Sequence, residues 1–217
     1  MSLLALAGLG LALGIRHATD SDHVVAVTAI AARYKRVGPA ARVGVLWGLG
    51  HTLTICVVGA LIIWLNLTLP PRVGLALEFV VGIALVVVGA LNLTGRGGFI
   101  SAATHTHEQG VRAFVVGLVH GLAGSAAVAL LVLATVHDPR AAVAYLLVFG
   151  LGTIVGMVLI TLAFTSPVAY MARRYAWSGT GLRLLTGALS VCFGLYVMYD
   201  VAFVSGLFLA NPHWSPH

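Results

Sequence analysis

A short segment near the amino end concentrates the side chains that could do chemistry. It runs from Arg16 to His23 with the sequence RHATDSDH, and apolar stretches at residues 3–15 and 24–32 flank it. An ionised group within the hydrocarbon of a bilayer costs about 2.5 to 3.5 kcal/mol on insertion scales. A cluster of such groups in an apolar stretch therefore indicates a functional site.

The donor types in this segment predict what the site binds. Neutral imidazole and carboxylate, without a nearby thiolate, suit a divalent ion such as nickel, cobalt, zinc or iron. On a regular helix His17, Asp20 and His23 share an arc of about 120°, whereas Asp22 points nearly the opposite way. Both aspartates can join one site if the helix unwinds locally. Arg16 is expected to pair with Asp20.

Two further histidines are predicted to lie at a similar depth. Each is about 13 Å of helical rise from the nearest predicted cytoplasmic end, His51 in the second apolar stretch and His120 in the fourth. A structural, hydrogen-bonded role is an equal alternative for His120 alone. The candidate metal ligands are His17, Asp20, Asp22, His23, His51 and His120.

Other polar residues are interpreted as peripheral. His105 and His107 lie between two apolar stretches, and a solvated loop is favoured there over a metal-capturing one. Glu78 and Asp200 fall near the outer ends of predicted spans, where charged side chains reach water. Both are interpreted as boundary residues.

The elements that carry these residues are predicted to be membrane-spanning helices. The 217 residues are 60% hydrophobic and 8% charged, which excludes a soluble globular domain. The apolar stretches lack the alternation of barrel strands, so the fold class is all-α. We expect one polytopic transmembrane domain over residues 1–217, with six spans at residues 2–32, 42–65, 73–94, 112–136, 140–165 and 182–209.

The distribution of basic residues predicts the orientation. The first, third and fifth connections hold nine Lys and Arg residues, whereas the second and fourth hold two, Arg72 and Arg140. The positive-inside rule places the odd connections in the cytoplasm and both termini outside the inner membrane. With 12 Lys and Arg in total the chain has no basic stripe for a nucleic acid, and the lipid bilayer is its expected surroundings.

Internal similarity predicts two halves. Gly14–His17 aligns with Gly117–His120 at an offset of 103, and Trp47–His51 aligns with Phe149–Thr153 at an offset of 102. The glycines of the third and sixth spans align at an offset of 105. Three helices per half would make the second half, residues 112–209, an inverted copy of the first, residues 2–94, with a cytoplasmic loop at 95–111. Chance similarity between glycine-rich helices is the alternative.

The polar segment resembles a known signature. His17, Asp22 and His23 match the His-x4-Asp-His motif of the nickel/cobalt transporter (NiCoT) family, and Leu49-Gly50-His51 resembles that family's second motif. The resemblance implies that these residues bind or pass Ni²⁺ or Co²⁺. The run from His120 to Ser125, HGLAGS, is more similar to the short six-helix members of the superfamily that accompany urease systems. Nickel-enzyme maturation proteins are then expected partners.

These observations predict a secondary permease that moves a divalent metal, Ni²⁺ or Co²⁺, as its substrate and uses no prosthetic cofactor. No Walker A sequence is present, and the membrane potential favours inward movement of a divalent cation, so uptake is favoured. Export remains an alternative because the superfamily includes exporters. A membrane-embedded metal enzyme is disfavoured by the absence of a His-Glu-x-x-His motif, and a metal sensor or maturation factor is the remaining alternative.

Overall fold

The computed structural model describes residues 3–31, 37–65, 70–95, 106–121, 136, 138–174 and 178–214. These residues form seven α-helices and a π-helical turn, with no β-strand among them, which confirms the all-α prediction. The helices are α1 (Leu3–Ala18), α2 (Ser21–Ala31), α3 (Val37–Leu65), α4 (Pro71–Leu93), α5 (Thr106–Gly121), α6 (Pro139–Arg174) and α7 (Ser178–Tyr199). The π-helical turn, Asp200–Val204, continues directly from α7.

Four of the described helices are long and apolar enough to cross a membrane. The corresponding segments are Val37–Leu61, Pro71–Leu93, Arg140–Pro167 and Thr180–Val204. Their exposed faces are apolar; on α6, for example, Leu147, Leu151 and Leu159 are each more than half exposed and follow helical spacing. Exposed apolar surface of this extent is suited to lipid, and the chain is a membrane protein.

The remaining spans differ from their predicted bounds. The predicted span 2–32 is divided into α1 and α2. The predicted span 112–136 is described as α5 up to Gly121, and most of its remainder lies outside the described residues. The predicted loop 95–111 is too long, because α5 already begins at Thr106. The helix that corresponds to the predicted span 140–165 is α6, which continues to Arg174. Hydropathy marks the apolar part of a helix, whereas backbone hydrogen bonds continue into its polar ends.

Glycines bring two pairs of helices into backbone contact in the same way. A Cβ atom on Gly14 of α1 would collide with the carbonyl oxygen of Phe149 on α6. Likewise, a Cβ atom on Gly117 of α5 would collide with the carbonyl oxygen of Trp47 on α3. These are the positions that the sequence aligns at offsets of 103 and 102. The α1–α6 and α5–α3 pairs therefore make equivalent contacts.

The third such contact joins α4 to α7. A Cβ atom on Gly82 would lie 3.1 Å from the carbonyl oxygen of Gly194, and one on Gly194 would lie 2.7 Å from that of Gly82. Gly89 and Gly187 make the corresponding reciprocal contact. The two helices therefore run antiparallel. Small residues allow this close approach. In lipid no hydrophobic effect drives helices together, so close packing between them stabilises the pair.

Polar side chains add bonds between helices that surround the candidate site. Asn92 of α4 donates its side-chain N–H to the carbonyl of Ala29 on α2 at 2.8 Å. Thr54 of α3 donates to the carbonyl of Leu118 on α5 at 3.0 Å. Such bonds contribute about 0.6 kcal/mol each in membrane proteins. They hold α2 against α4 and α5 against α3.

Candidate metal-binding site

The site begins at the break between α1 and α2. The backbone N–H groups of Thr19 and Asp20 donate to the carbonyls of Arg16 and His17, three residues back, which ends α1 in a tighter turn. The Asp20 carbonyl then accepts the first hydrogen bond of α2, from Val24 at 3.0 Å. The sequence Thr-Asp-Ser-Asp favours such a break, because these side chains compete with the helical backbone for hydrogen bonds. The predicted local unwinding is confirmed.

The break gives two histidines one aspartate each. His17 Nδ1 lies 2.8 Å from Asp20 Oδ2, and His23 Nδ1 lies 3.1 Å from Asp22 Oδ1. A neutral imidazole that donates its Nδ1–H to a carboxylate keeps a lone pair on Nε2. This pairing is the one by which carboxylates orient metal-binding histidines in proteins. Asp20 therefore pairs with His17, and the predicted pairing with Arg16 is wrong, because the turn directs the carboxylate back to the imidazole three residues before it.

His51, on α3, lies next to His17. Its Nε2 atom lies 2.8 Å from Nε2 of His17. The backbone of α3 is held close to α5 here, since a Cβ atom on Gly50 would collide with the Phe114 carbonyl oxygen. Two imidazole nitrogens from different helices therefore face one another inside the protein.

His120 comes to the cluster from the end of α5. Its Nε2 atom lies 3.1 Å from Asp22 Oδ2, at ion-pair distance, and its ring centre lies 4.4 Å from that of His23. Asp22 thus lies between His23 and His120, with one carboxylate oxygen near each. The structure places His120 with the other candidate ligands.

Two aromatic rings form walls of the cluster. The ring centre of Trp47 lies 6.4 Å from that of His23, in a stacked arrangement, and 5.6 Å from that of His120, edge-on. The ring centre of Phe149 lies 5.6 Å from that of His17. Residue type alone predicts neither ring as a site residue, although the two occupy aligned positions in the two halves. That alignment is the feature of the sequence that could have identified the two rings as site residues.

The cluster is buried and incompletely hydrogen-bonded. The side chains of His23 and His51 have no exposed surface, and those of His17 and His120 have 5% or less. Nε2 of His23 and Nδ1 of His51 have no hydrogen-bond partner among the described residues. Buried polar atoms are normally satisfied, so these nitrogens are candidates to contact a ligand.

Two overlapping sets of side chains have the spacing of a metal site. In the first, His17, His23 and His51 offer atoms within 4.8 Å of one another; in the second, Asp22, His23 and His120 do the same. His23 belongs to both. The six residues predicted from the sequence thus lie in one place, with Asp20 attached to the first set through His17. His105 lies outside the described residues, and His107 lies in the first turn of α5.

A cavity of about 520 Å³ adjoins the break between α1 and α2. Asp20 and Asp22 line it on one side, and Glu78 and Asp200 line it on the side of α4 and α7. The interpretation of Glu78 and Asp200 as boundary residues missed this shared cavity. The two residues are far apart in the sequence, and the sequence does not predict their proximity because it results from the antiparallel pairing of α4 and α7.

The chain is similar over nearly its whole length to a known protein. The chain is 34% identical over 221 aligned residues to the urease accessory protein UreH of Bacillus sp. (strain TB-90). The alignment covers 96% of this chain and 96% of that protein. No family model matches the chain, and no solved structure matches it.

Proposed function

The chain belongs to the family of the urease accessory protein UreH, and on that premise we propose that it is a permease that carries a divalent transition metal, chiefly Ni²⁺, into the cell. Co²⁺ is the second expected substrate. The relative's name connects it with urease, which favours a role in supplying metal to a nickel enzyme and its maturation proteins. The chain itself is not proposed to catalyse a reaction.

One observation carries this proposal: a buried cluster of four imidazoles and two carboxylates with nitrogen atoms left unpaired. A purely structural cluster would be expected to pair its buried polar atoms internally. Here Nε2 of His23 and Nδ1 of His51 lack partners among the described residues. Neutral nitrogen ligands of this kind suit nickel and cobalt.

The contacts favour separate roles for the residues. We assign His17, His23 and His51 as nitrogen ligands, because their three donor atoms lie within 4.8 Å. Nε2 of His17 lies 2.8 Å from Nε2 of His51, and because His17 Nδ1 donates to Asp20, the proton of this contact belongs to His51, whose Nδ1 keeps the lone pair. Asp20 and Asp22 orient imidazoles, and Asp22 with His120 provides a neighbouring set that shares His23.

The fold is proposed to consist of six spans in two inverted repeats. Its support is the equivalence of the α1–α6 and α5–α3 contacts, together with the reciprocal glycine contacts of antiparallel α4 and α7. A two-fold axis in the membrane plane relates two halves in this way. The discontinuous first span then places its break at the interface of the repeats, where such transporters bind ions.

The proposed direction of transport follows from the charge of the substrate. A potential of 100 mV, negative inside, favours inward movement of a divalent cation by about 4.6 kcal/mol. Uptake through this protein therefore needs no ATP-binding site. Both termini are proposed to lie outside the inner membrane, in accord with the distribution of Lys and Arg.

A maturation factor that binds nickel without transporting it is the second candidate, and the name of the relative favours it. The deciding experiment reconstitutes the purified protein in liposomes that contain a trapped nickel chelator and follows accumulation of labelled Ni²⁺ under an imposed potential, negative inside. The permease predicts potential-dependent accumulation. Binding to the protein with no accumulation would support the second candidate and contradict the first.

The histidine variants provide the internal controls for this experiment. His23→Ala should reduce accumulation to the level of empty liposomes, because His23 belongs to both candidate sets. His213→Ala is the matched control, since His213 is exposed near the carboxyl end and remote in sequence from the cluster. It should transport at the wild-type rate.

A further inference from the structure

The cavity beside the imidazole cluster has a composition that the cluster does not explain. Four of the six Asp and Glu residues of the chain line it: Asp20, Asp22, Glu78 and Asp200. Thr19 and Ser21 add hydroxyl groups, and no basic residue is among the described residues of its lining. Charged residues are scarce in this chain, so their concentration around one cavity requires a reason.

We propose that this cavity is the outer vestibule of the permease, and that Glu78 and Asp200 capture a hydrated divalent cation there before it reaches the imidazoles. The inference rests on the proposed function. It assigns to Glu78 and Asp200 a role in recruiting the substrate, distinct from coordination in the buried cluster.

The connection between the cavity and the cluster supports this inference. Asp20 and Asp22 line the cavity and also contact His17 and His23. Their side chains are 32% and 16% exposed, whereas that of His23 is fully buried. The unpaired nitrogens, Nε2 of His23 and Nδ1 of His51, belong to the buried cluster that these carboxylates contact. A cation in the cavity would therefore meet oxygen donors first and nitrogen donors next.

The size and charge of the cavity match a hydrated ion. Six water molecules occupy about 180 Å³ at about 30 Å³ each, well within the cavity volume of about 520 Å³. A recess lined by one sign of charge, with apolar walls, raises the local concentration of counter-ions and their association rate by about 10- to 1,000-fold. Val81 and Phe193 contribute to the apolar part of the wall.

Local structure holds the Glu78 carboxylate in place and fixes the backbone at Asp200. Trp214 donates its indole N–H to Glu78 Oε1 at 2.8 Å, and the same ring packs on Gly74, where a Cβ atom would lie 2.6 Å away. Asp200 begins the π-helical turn, and its carbonyl accepts a hydrogen bond from Ser205. Single π-helical turns occur frequently at functional sites.

The test uses Glu78→Gln with Asp200→Asn, which preserves shape and leaves an oxygen to accept the Trp214 hydrogen bond. Labelled Ni²⁺ uptake into liposomes is measured over a range of nickel concentrations, and equilibrium nickel binding is measured in detergent. We expect the KM for uptake to rise about ten-fold, while the saturating rate and the equilibrium Kd of the cluster stay within two-fold. Asp138→Asn is the control, because Asp138 is exposed and caps α6 outside the cavity.

A KM within two-fold of the wild-type value in the double variant would overturn the vestibule and leave the permease intact. Absence of nickel uptake by the wild-type protein would overturn both. If the double variant does not fold, the vestibule is tested by the dependence of the wild-type KM for nickel uptake on ionic strength. The vestibule predicts that KM rises between low and physiological salt, as screening weakens recruitment, and a constant KM would contradict it.

Discussion

At the scale of single residues, the contacts favour two roles that the sequence could not distinguish. Residue type alone placed Asp20 and Asp22 with the histidines as candidate metal ligands. In the proposed function these carboxylates orient imidazoles, because Nδ1 of His17 and of His23 lie at hydrogen-bond distance from them, while Asp22 also belongs to a set of possible ligands with His23 and His120. Sequence spacing cannot distinguish the roles, because a ligand and its orienting partner are equally close in the chain.

The two aspartates are predicted to differ in importance. Asp22 contacts both His23 and His120, whereas Asp20 contacts His17. Loss of an orienting carboxylate weakens metal binding by about 10- to 100-fold. We therefore expect Asp20→Asn to raise the nickel Kd toward the lower end of this range and Asp22→Asn toward the upper end. Titration of the purified variants with nickel would measure both constants, and the reverse order would contradict the assigned roles.

At the scale of elements, sequence reasoning anticipated the break between α1 and α2 but not how the helices meet. The break follows from four consecutive residues that favour turns or helix ends, which a sequence displays directly. The positions of Trp47 and Phe149 beside the imidazoles depend on the α5–α3 and α1–α6 contacts. Those contacts depend on glycines, whose role shows only when the facing backbone is known.

Helix packing gives a prediction with a matched control. Gly14→Ala would place a Cβ atom against the Phe149 carbonyl and should destabilise the protein by about 1 to 3 kcal/mol. Gly8→Ala on the same helix has no atom within 4 Å of the added Cβ, and should leave stability unchanged or raise it by about 0.5 to 1 kcal/mol. Thermal unfolding in detergent compares them. Equal melting temperatures for the two variants would show that α1 does not pack on α6 in this way.

At the scale of the whole molecule, the repeated sequence offsets and the reciprocal contacts support the same arrangement. Gly14 and Gly117 align in sequence, and each meets the backbone of the other half at aligned residues. The cavity, in contrast, was not predictable. Glu78 and Asp200 are far apart in the chain, and their common environment depends on the antiparallel pairing of α4 with α7.

The proposed orientation is testable with single cysteines in a background that lacks Cys56 and Cys192. Thr94 and Leu209 are both exposed, the first at the end of α4 and the second after the π-helical turn. The excess of Lys and Arg in the odd connections predicts that Thr94→Cys is labelled only from the cytoplasm and Leu209→Cys only from outside. Labelling of both positions from the same side would contradict the topology.

The central claim is that the buried imidazoles hold the transported metal, and X-ray absorption at the nickel edge tests it most directly. The wild-type protein loaded with one equivalent of nickel should show nitrogen and oxygen ligands with scattering from several imidazole rings. His23→Ala should lose bound nickel or imidazole scattering, whereas His213→Ala should match the wild-type spectrum. Nickel bound without imidazole ligands, or a His23→Ala spectrum identical to that of the wild-type protein, would contradict the claim.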